Sequence, residues 1–327
     1  GKTPPPLRTS GKALGIFPSC GDPCAEPRLA ASLAMASPSS PGTAPGPFRT
    51  KVEVAVLGGG FPGVYCGQRL ARNLKKAGVA PHDAVIVSEQ NYMVFQPMLA
   101  EVAGASIAPR HVINPIRRLC RGLRVLRGRV RHIDLEKREV HVDTGFFSAG
   151  MIIEWNHLVL ALGAEIDLSR VPGMPEHAFV MQNVGDAMIL RATLISRLEE
   201  ANAEQRVEVR RRLLTVVVVG GGFSGVETAG EILDLLHEAA GEYRDVPREE
   251  IRVVLVHSRE RILHTLDPDL GDYAARKLRR RGLEIRLEER VRACTSTRVY
   301  LQSGEVIETA TVVSTVGNAP HSVIRGL

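Results

Sequence analysis

Two glycine runs carry the clearest chemistry in this sequence. Gly58-Gly59-Gly60-Phe61-Pro62-Gly63 follows the apolar run Val52 to Leu57, and Gly220-Gly221-Gly222-Phe223-Ser224-Gly225 follows Thr215 to Val219. Each fits G-x-G-x-x-G between a strand and a helix. In that setting the first glycine (Gly58, Gly220) permits a tight turn, and the second (Gly60, Gly222) lets a pyrophosphate approach the backbone. The third (Gly63, Gly225) lets helix and strand pack closely. The helix that opens at Phe61 or Phe223 turns unpaired N–H groups and a positive dipole end toward the phosphates. An acid at the end of the next strand completes such a site by binding ribose hydroxyls. Glu89 fills that position in the first copy. The second copy reads His257-Ser258-Arg259 there, with Glu260 one residue further on. Ser and Arg suit a 2′-phosphate and Glu260 suits a free hydroxyl, so this ribose end is open. Glu227 falls in the first turn of the second helix, where a carboxylate either complements the dipole or acts on what the loop binds.

The elements that must position these residues follow from periodicity. The first glycine run leads into a helix to Ala77, with Leu70 and Leu74 on one face, and then a strand over Ala84 to Ser88. Short β-like pieces follow at Leu123–Val130, Val140–Val142, Met151–Ile153 and Leu158–Leu162, which predicts an antiparallel meander laid onto a parallel sheet. A helix over Asp186 to Ala203 leads to the strand Leu213 to Val219, and the opening plan repeats. It predicts a helix over Phe223 to Ala240, a strand over Val253 to Val256 and a helix over Pro268 to Arg281. Strands over Glu284–Arg286, Arg298–Leu301 and Thr311–Thr315 complete the pattern. This alternation, met twice, means an α/β chain with two doubly wound, Rossmann-like dinucleotide-binding domains.

Composition narrows the class. The 327 residues are 44% hydrophobic and 24% charged, with a net charge of +6 and a pI of about 9.2, which suits two globular domains. The basic clusters Arg117 to Arg131 and Arg276 to Arg281 read as solvated faces or as contacts with an anionic membrane surface. Nucleic acid is excluded as a partner, because only 4% of residues are aromatic and no binding motif accompanies the charge. No apolar run is long enough to span a bilayer. Five scattered cysteines point to a reducing compartment. Cys20 and Cys24 lack a second ligand pair, so no metal is expected. Residues 1–50, rich in Pro, Ala, Ser and Gly, read as a disordered leader. The chain begins with Gly1 and stops at Leu327 after a strand-like run, and is expected to be a fragment.

Two such folds with a meander between them resemble the glutathione-reductase-like flavoproteins, in which the first fold binds FAD and the inserted second fold binds NADH or NADPH. His157-Leu158-Val159-Leu160-Ala161-Leu162-Gly163-Ala164 is similar to the family's connector out of the FAD half, with Leu162 where Thr is common. Ala161 and Gly163 would then contact the cofactor. Thr311 to Pro320, which contains Gly317, resembles the return crossing. No CxxC or CxxxxC pair follows either glycine loop, so the disulfide-reductase branch does not fit. Asn91 to Arg117 instead resembles the type II NADH:quinone oxidoreductases. It carries Phe95-Gln96-Pro97-Met98-Leu99, Glu101-Val102-Ala103, Pro109-Arg110-His111-Val112 and Pro115-Ile116-Arg117.

This resemblance implies a hydride passed from NAD(P)H to FAD and then two electrons passed to a membrane quinone. A soluble reductase of another acceptor, or a non-catalytic redox sensor, is the alternative. Gln96, Pro97 and Leu99 would lie near the isoalloxazine, and Glu227 near the two reacting rings. Residues 51–185 would form the FAD domain, 186–317 the NAD(P) domain, and 318–327 the start of the return. A Gly-Asp FAD contact and a membrane-docking amphipathic region would follow Leu327. The enzyme would sit in the cytoplasm, peripherally on the inner face of the cell membrane, with a homodimer among the implied assemblies.

Overall fold

The computed structural model describes residues 46–78, 80 and 83–327. The expected leader falls outside the described residues as far as residue 45, as do Cys20 and Cys24. The leader does not extend to residue 50, because a strand β1 already runs over Phe48–Leu57. Helix α1 (Phe61–Lys76) and strand β2 (Ala84–Ser88) follow. A hairpin of β3 (Tyr92–Val94) and β4 (Ile113–Pro115) brackets helix α2 (Leu99–Ala103), and α3 (Ile116–Leu119) closes it. Strands β5 (Arg124–Arg127), β6 (Arg129–Asp134), β7 (Glu139–Asp143) and β8 (Met151–Leu160) complete a six-stranded sheet ordered β5-β2-β1-β8-β7-β6. All of β2 and the end of β1 are buried, as continuous apolar runs in a parallel sheet covered on both faces should be.

The meander is not laid onto this sheet but continues it. β8 pairs antiparallel with β7 on one edge and parallel with β1 on the other. The expected strand Leu123–Val130 breaks at Gly128, so that β5 runs parallel to β2 while β6 turns antiparallel to β7. The pieces Met151–Ile153 and Leu158–Leu162 are one strand. Its polar middle is surface that pairs normally, and Asn156 there donates to Glu53 at 2.6 Å.

The chain crosses over through β9 (Ala164–Ile166) and α4 (Met174–His177). The second sheet begins at β10 (Ala178–Val180), earlier than residue 186. Helix α5 (Val184–Ala203) opens with a capping box between Asn183 and Asp186, which satisfies two otherwise orphan donors. Helix α6 (Val207–Leu213), unpredicted because it shows no apolar stripe, precedes β11 (Thr215–Val219). Then come α7 (Phe223–Ala239), β12 (Arg252–Val256), α8 (Pro268–Arg280) and β13 (Glu284–Arg286). A small antiparallel sheet of β14 (Val291–Cys294), β15 (Arg298–Leu301) and β16 (Val306–Glu308) leads to β17 (Thr311–Ser314). The order β10-β17-β11-β12-β13 is parallel throughout. Finally β18 (Asn318–Pro320) returns antiparallel to β9, and α9 (Ser322–Arg325) follows.

The halves are tied together by α2. Leu99 and Val102 belong by sequence to the first half, yet they are buried in one cluster with Leu190 and Leu194 of α5 and Ile232 of α7. Burying side chains of this size stabilises by about 1.5–3 kcal/mol each. Residues 45–327 accordingly form one compact unit.

Candidate functional site

The two glycine loops have the same local construction. Gly58 and Gly220 have φ of 119° and 115°, a region that L side chains rarely enter. Their N–H groups donate to Val87 and Val256 at 2.8 and 2.9 Å. A Cβ on Gly63 would strike the Gly58 carbonyl, and one on Gly225 the Gly220 carbonyl. Gly60 and Gly222 have nothing within 4 Å of a notional Cβ. Each is the N-cap of its helix and offers no side-chain cap, and neither helix has an acid in its first turn, since α7 begins at Phe223 and Glu227, expected in that turn, stands just beyond it. Both helix ends therefore keep the unpaired donors an anion needs.

A cleft of about 950 Å³ joins the halves. From the first half it takes Gly58, Gly60, Phe61, Glu89, Gln96, Pro97 and Leu99. The connector adds Ala161 and Gly163, and the second half adds Phe223 and Glu227. Gly63 lies beneath the first loop. Gly220, Gly222, Gly225 and His257, Ser258 and Arg259 fall outside the cleft wall, as does Gly317. Gly317 has φ of 98°, and its carbonyl accepts from the Asp167 N–H at 2.7 Å. It shapes the return crossing and does not face the cleft.

Several details fix the cleft's chemistry. Gln96 donates to the Gln182 carbonyl at 3.1 Å, which pins the Gln96–Met98 turn to the second half. Phe95 meets Phe61 edge-on at 5.8 Å between ring centroids. Glu89 is already engaged by Arg129, whose Nε donates to it at 2.9 Å. That hydrogen bond is the main reason the guanidinium is held above its usual pKa. Glu227 is raised above the usual carboxylate range, first by burial and then by the charge of Glu101. Sequence reasoning missed Arg129, Asn318 and His321, all of which line the cleft. Gly128 before Arg129 marks the strand break that turns this arginine inward, but only strand pairing discloses it.

The second ribose end is rearranged relative to the sequence expectation. Leu57 pairs with Val87 and Val219 pairs with Val256, so Ser258, not His257, stands at the register position of Glu89. His257 is the counterpart of Ser88 and is packed under Gly221. Its Nδ1 accepts from the Gly221 N–H at 3.0 Å, while Nε2 is buried without a partner. Burial, then the nearby His264 and Arg259, lower its pKa. The Gly221 carbonyl accepts from the Leu263 N–H at 2.7 Å, and beside it a cavity of about 400 Å³ is lined by Arg259, Arg261 and His264 among others.

The chain matches the pyridine nucleotide-disulphide oxidoreductase family over residues 52–325. It belongs to that family. Within it, the sequence is similar to type II and alternative NAD(P)H:quinone oxidoreductases. It is 32% identical to the type II NADH:quinone oxidoreductase Ndh of Mycobacterium tuberculosis, across 77% of this chain and 53% of that protein. It is 30% identical to the internal alternative NAD(P)H-ubiquinone oxidoreductase A1, mitochondrial, of Arabidopsis thaliana, across 88% of this chain and 57% of that protein. The chain thus spans about half the length of these relatives. The structure of NDH2 from Plasmodium falciparum in complex with NADH superposes with a TM-score of 0.76 at 20% identity, covering 84% of this chain and 56% of that one, which establishes the fold.

Among the described residues Cys66, Cys120 and Cys294 are free. Cys120 and Cys294 are buried in separate cores. Burial raises Cys120 and pushes Cys294 up to about 11. A raised pKa disfavours the thiolate that dithiol chemistry requires. Among the described residues no cluster could hold a metal ion, and no helix is long and apolar enough to cross a membrane.

Proposed function

We propose that this chain is the nucleotide-binding body of a flavin-dependent oxidoreductase that takes a hydride from NAD(P)H onto FAD and passes two electrons to a membrane quinone. The observation that carries the reading is one cleft bordered by Gly58–Phe61 on one side and by Phe223, Ser224 and Glu227 on the other. Two dinucleotides seated on the two loops would meet there at their reactive ends. The Gly58 loop fits FAD, because the space a Cβ would fill at Gly58 and Gly63 is closed by backbone while Gly60 opens to the cleft. On this reading residues 51–185 hold FAD and 186–317 hold the nicotinamide coenzyme, with the return beginning at 318.

When bound, the flavin supplies the redox chemistry. The chain's own residues bind, orient and exclude water. Glu89 would exchange Arg129 for a ribose. Gln96, Pro97 and Leu99 would wall the flavin ring, and Glu227 would face the nicotinamide side. At the coenzyme ribose Ser258 replaces a carboxylate, and Arg259, Arg261 and His264 border the adjoining cavity. This favours acceptance of NADPH alongside NADH. The relatives' names support quinone as acceptor. The test is NADH and NADPH oxidation by the full-length protein with a short-chain quinone. The expected result is quinone-dependent turnover with either coenzyme, and flavin reduction without quinone turnover overturns the acceptor.

A further inference from the structure

Two stretches of the first half contain no acid. Between Glu53 and Asp83, and again between Glu101 and Asp134, there is neither Asp nor Glu, while Lys and Arg recur. The fold brings the two stretches together. Helix α1 from the first packs on α3 and β5 from the second, with Val64, Ile116 and Cys120 in one buried cluster and Leu70 and Leu119 against it. The Cys120 thiol lies 3.6 Å from the Val64 carbonyl oxygen. A Cβ on Gly67 would come within 3.0 Å of the Cys120 sulfur, so the two segments form one close-packed wall.

The outer side of that wall carries charge of one sign. Arg69, Arg72, Lys75 and Lys76 of α1 are exposed, as are Arg118 in α3 and Arg121 just after it. Among the described residues none of the six has an ion-pair partner. Elsewhere arginines meet acids: Arg49 with Glu139, Arg131 with Asp143, Arg210 with Glu250 and Arg252 with Glu284. Lys75, Lys76 and Arg118 close their helices, where a cation suits the dipole. The dipole does not account for Arg69, Arg72 or Arg121. Like charges gathered without counter-ions repel one another, a cost that a surface of opposite charge removes.

An apolar strip borders these cations. Tyr65, Arg69, Arg72 and Lys76 stand at i, i+4, i+7 and i+11 of α1 and so share a face. Tyr65 is 63% exposed. Its ring centroid lies 6.4 Å from that of Phe61, which in turn meets Phe95 at 5.8 Å. Phe95 and Met98 are also exposed, and Phe61 belongs to the cleft wall.

We infer that this α1–α3 face docks on the surface of an anionic lipid bilayer, with the cations among the headgroups and Tyr65, Phe95 and Met98 at the boundary with the acyl chains. Cations beside exposed aromatic and apolar side chains are the combination that an anionic bilayer attracts, through charge at a distance and through burial on contact. A protein partner fits less well, because the cores of protein interfaces are depleted in Lys and in charge. The surface is built wholly from residues 61–121 and does not depend on what the cleft binds.

The test is co-sedimentation of the 327-residue chain with vesicles of phosphatidylcholine alone or mixed with an equal part of phosphatidylglycerol. The expected result is binding to the anionic vesicles only, weakening as sodium chloride is raised. Arg69→Gln, Arg72→Gln, Arg118→Gln and Arg121→Gln should each weaken that binding about fivefold, with unchanged melting temperatures. Equal binding to both vesicles, no binding, or full binding by the folded fourfold variant overturns the inference. So does capture by single-stranded RNA in preference to anionic vesicles. If the fourfold variant does not fold, Tyr65→Trp decides: its added emission should be quenched by brominated lipid, while that of Trp155 on β8 should not. Absence of that quenching also overturns the inference. The vesicles hold neither quinone nor coenzyme, so this result and the reading under Proposed function fail separately.

Discussion

The Gly58 and Gly220 loops share their turn geometry, their carbonyl acceptors and their open helix ends, yet they differ in what lies under and beyond them. In the first, the ring-side neighbour of Gly58 is the Ala161 backbone, Ser88 sits below Gly59, and Glu89 follows. In the second, the neighbours of Gly220 are the Thr315 and Val316 side chains, the His257 ring fills the space below Gly221, and Ser258 follows. One loop is closed by main chain and ends in an acid. The other is closed by side chains, rests on an imidazole and ends in a hydroxyl. On the proposed reading, phosphate binding would use the shared backbone, whereas ribose binding would use the two residues that differ.

The largest expected contrast comes from Gly58→Ala against Gly220→Ala. Both force a side chain into positive φ, at about 1–3 kcal/mol. The first also drives a Cβ into a fixed carbonyl, while the second meets a hydroxyl and a methyl that can rotate away. Gly58→Ala should purify without flavin absorbance. Gly220→Ala should keep its flavin and lose NAD(P)H affinity. Equal flavin loss in both would erase the distinction.

A smaller effect is expected at His257. Replacing it with Ala leaves the Gly221 N–H without its acceptor, a loss of about 1–3 kcal/mol readable in the melting temperature. The sign of the pH effect is set by the lowered folded pKa. The unfolded chain takes up the proton near pH ~6.5 before the folded one does. His257 therefore contributes fully above that value and its contribution is lost as the pH falls toward the folded pKa. The wild-type protein should lose stability over that interval more steeply than the variant, and parallel slopes would sink the assignment.

The mildest change is Ser258→Glu, which copies the Glu89 position into the second loop. The NADPH-to-NADH affinity ratio should fall by about tenfold, equivalent to about 1.4 kcal/mol, in a fluorescence titration. An unchanged ratio would place the coenzyme ribose elsewhere.

Much of the frame was legible in the residues. Strands such as Ala84–Ser88 and Glu284–Arg286, and helices from Phe61, Phe223 and Pro268, follow from apolar runs, glycines and proline placed where periodicity demands. The meander was misplaced because alternation reveals a strand but not its neighbour, and Glu154 to His157 hid the continuity of β8. Helix α6 was missed because Val207–Leu213 has no buried face to mark it. Arg129, Asn318 and His321 reach the cleft only through strand pairing and the return crossing, which link residues far apart in sequence.

What the sequence by itself determined is the pair of phosphate loops, since a strand, three glycines and a helix set the backbone locally and need no distant partner. Only the tertiary structure decided which residue stands at each equivalent position beyond the strand end, where the proposed ribose contacts would lie. That depends on register between strands, which placed Ser258 in the second sheet at the position equivalent to that of Glu89 in the first and buried His257 beneath Gly221.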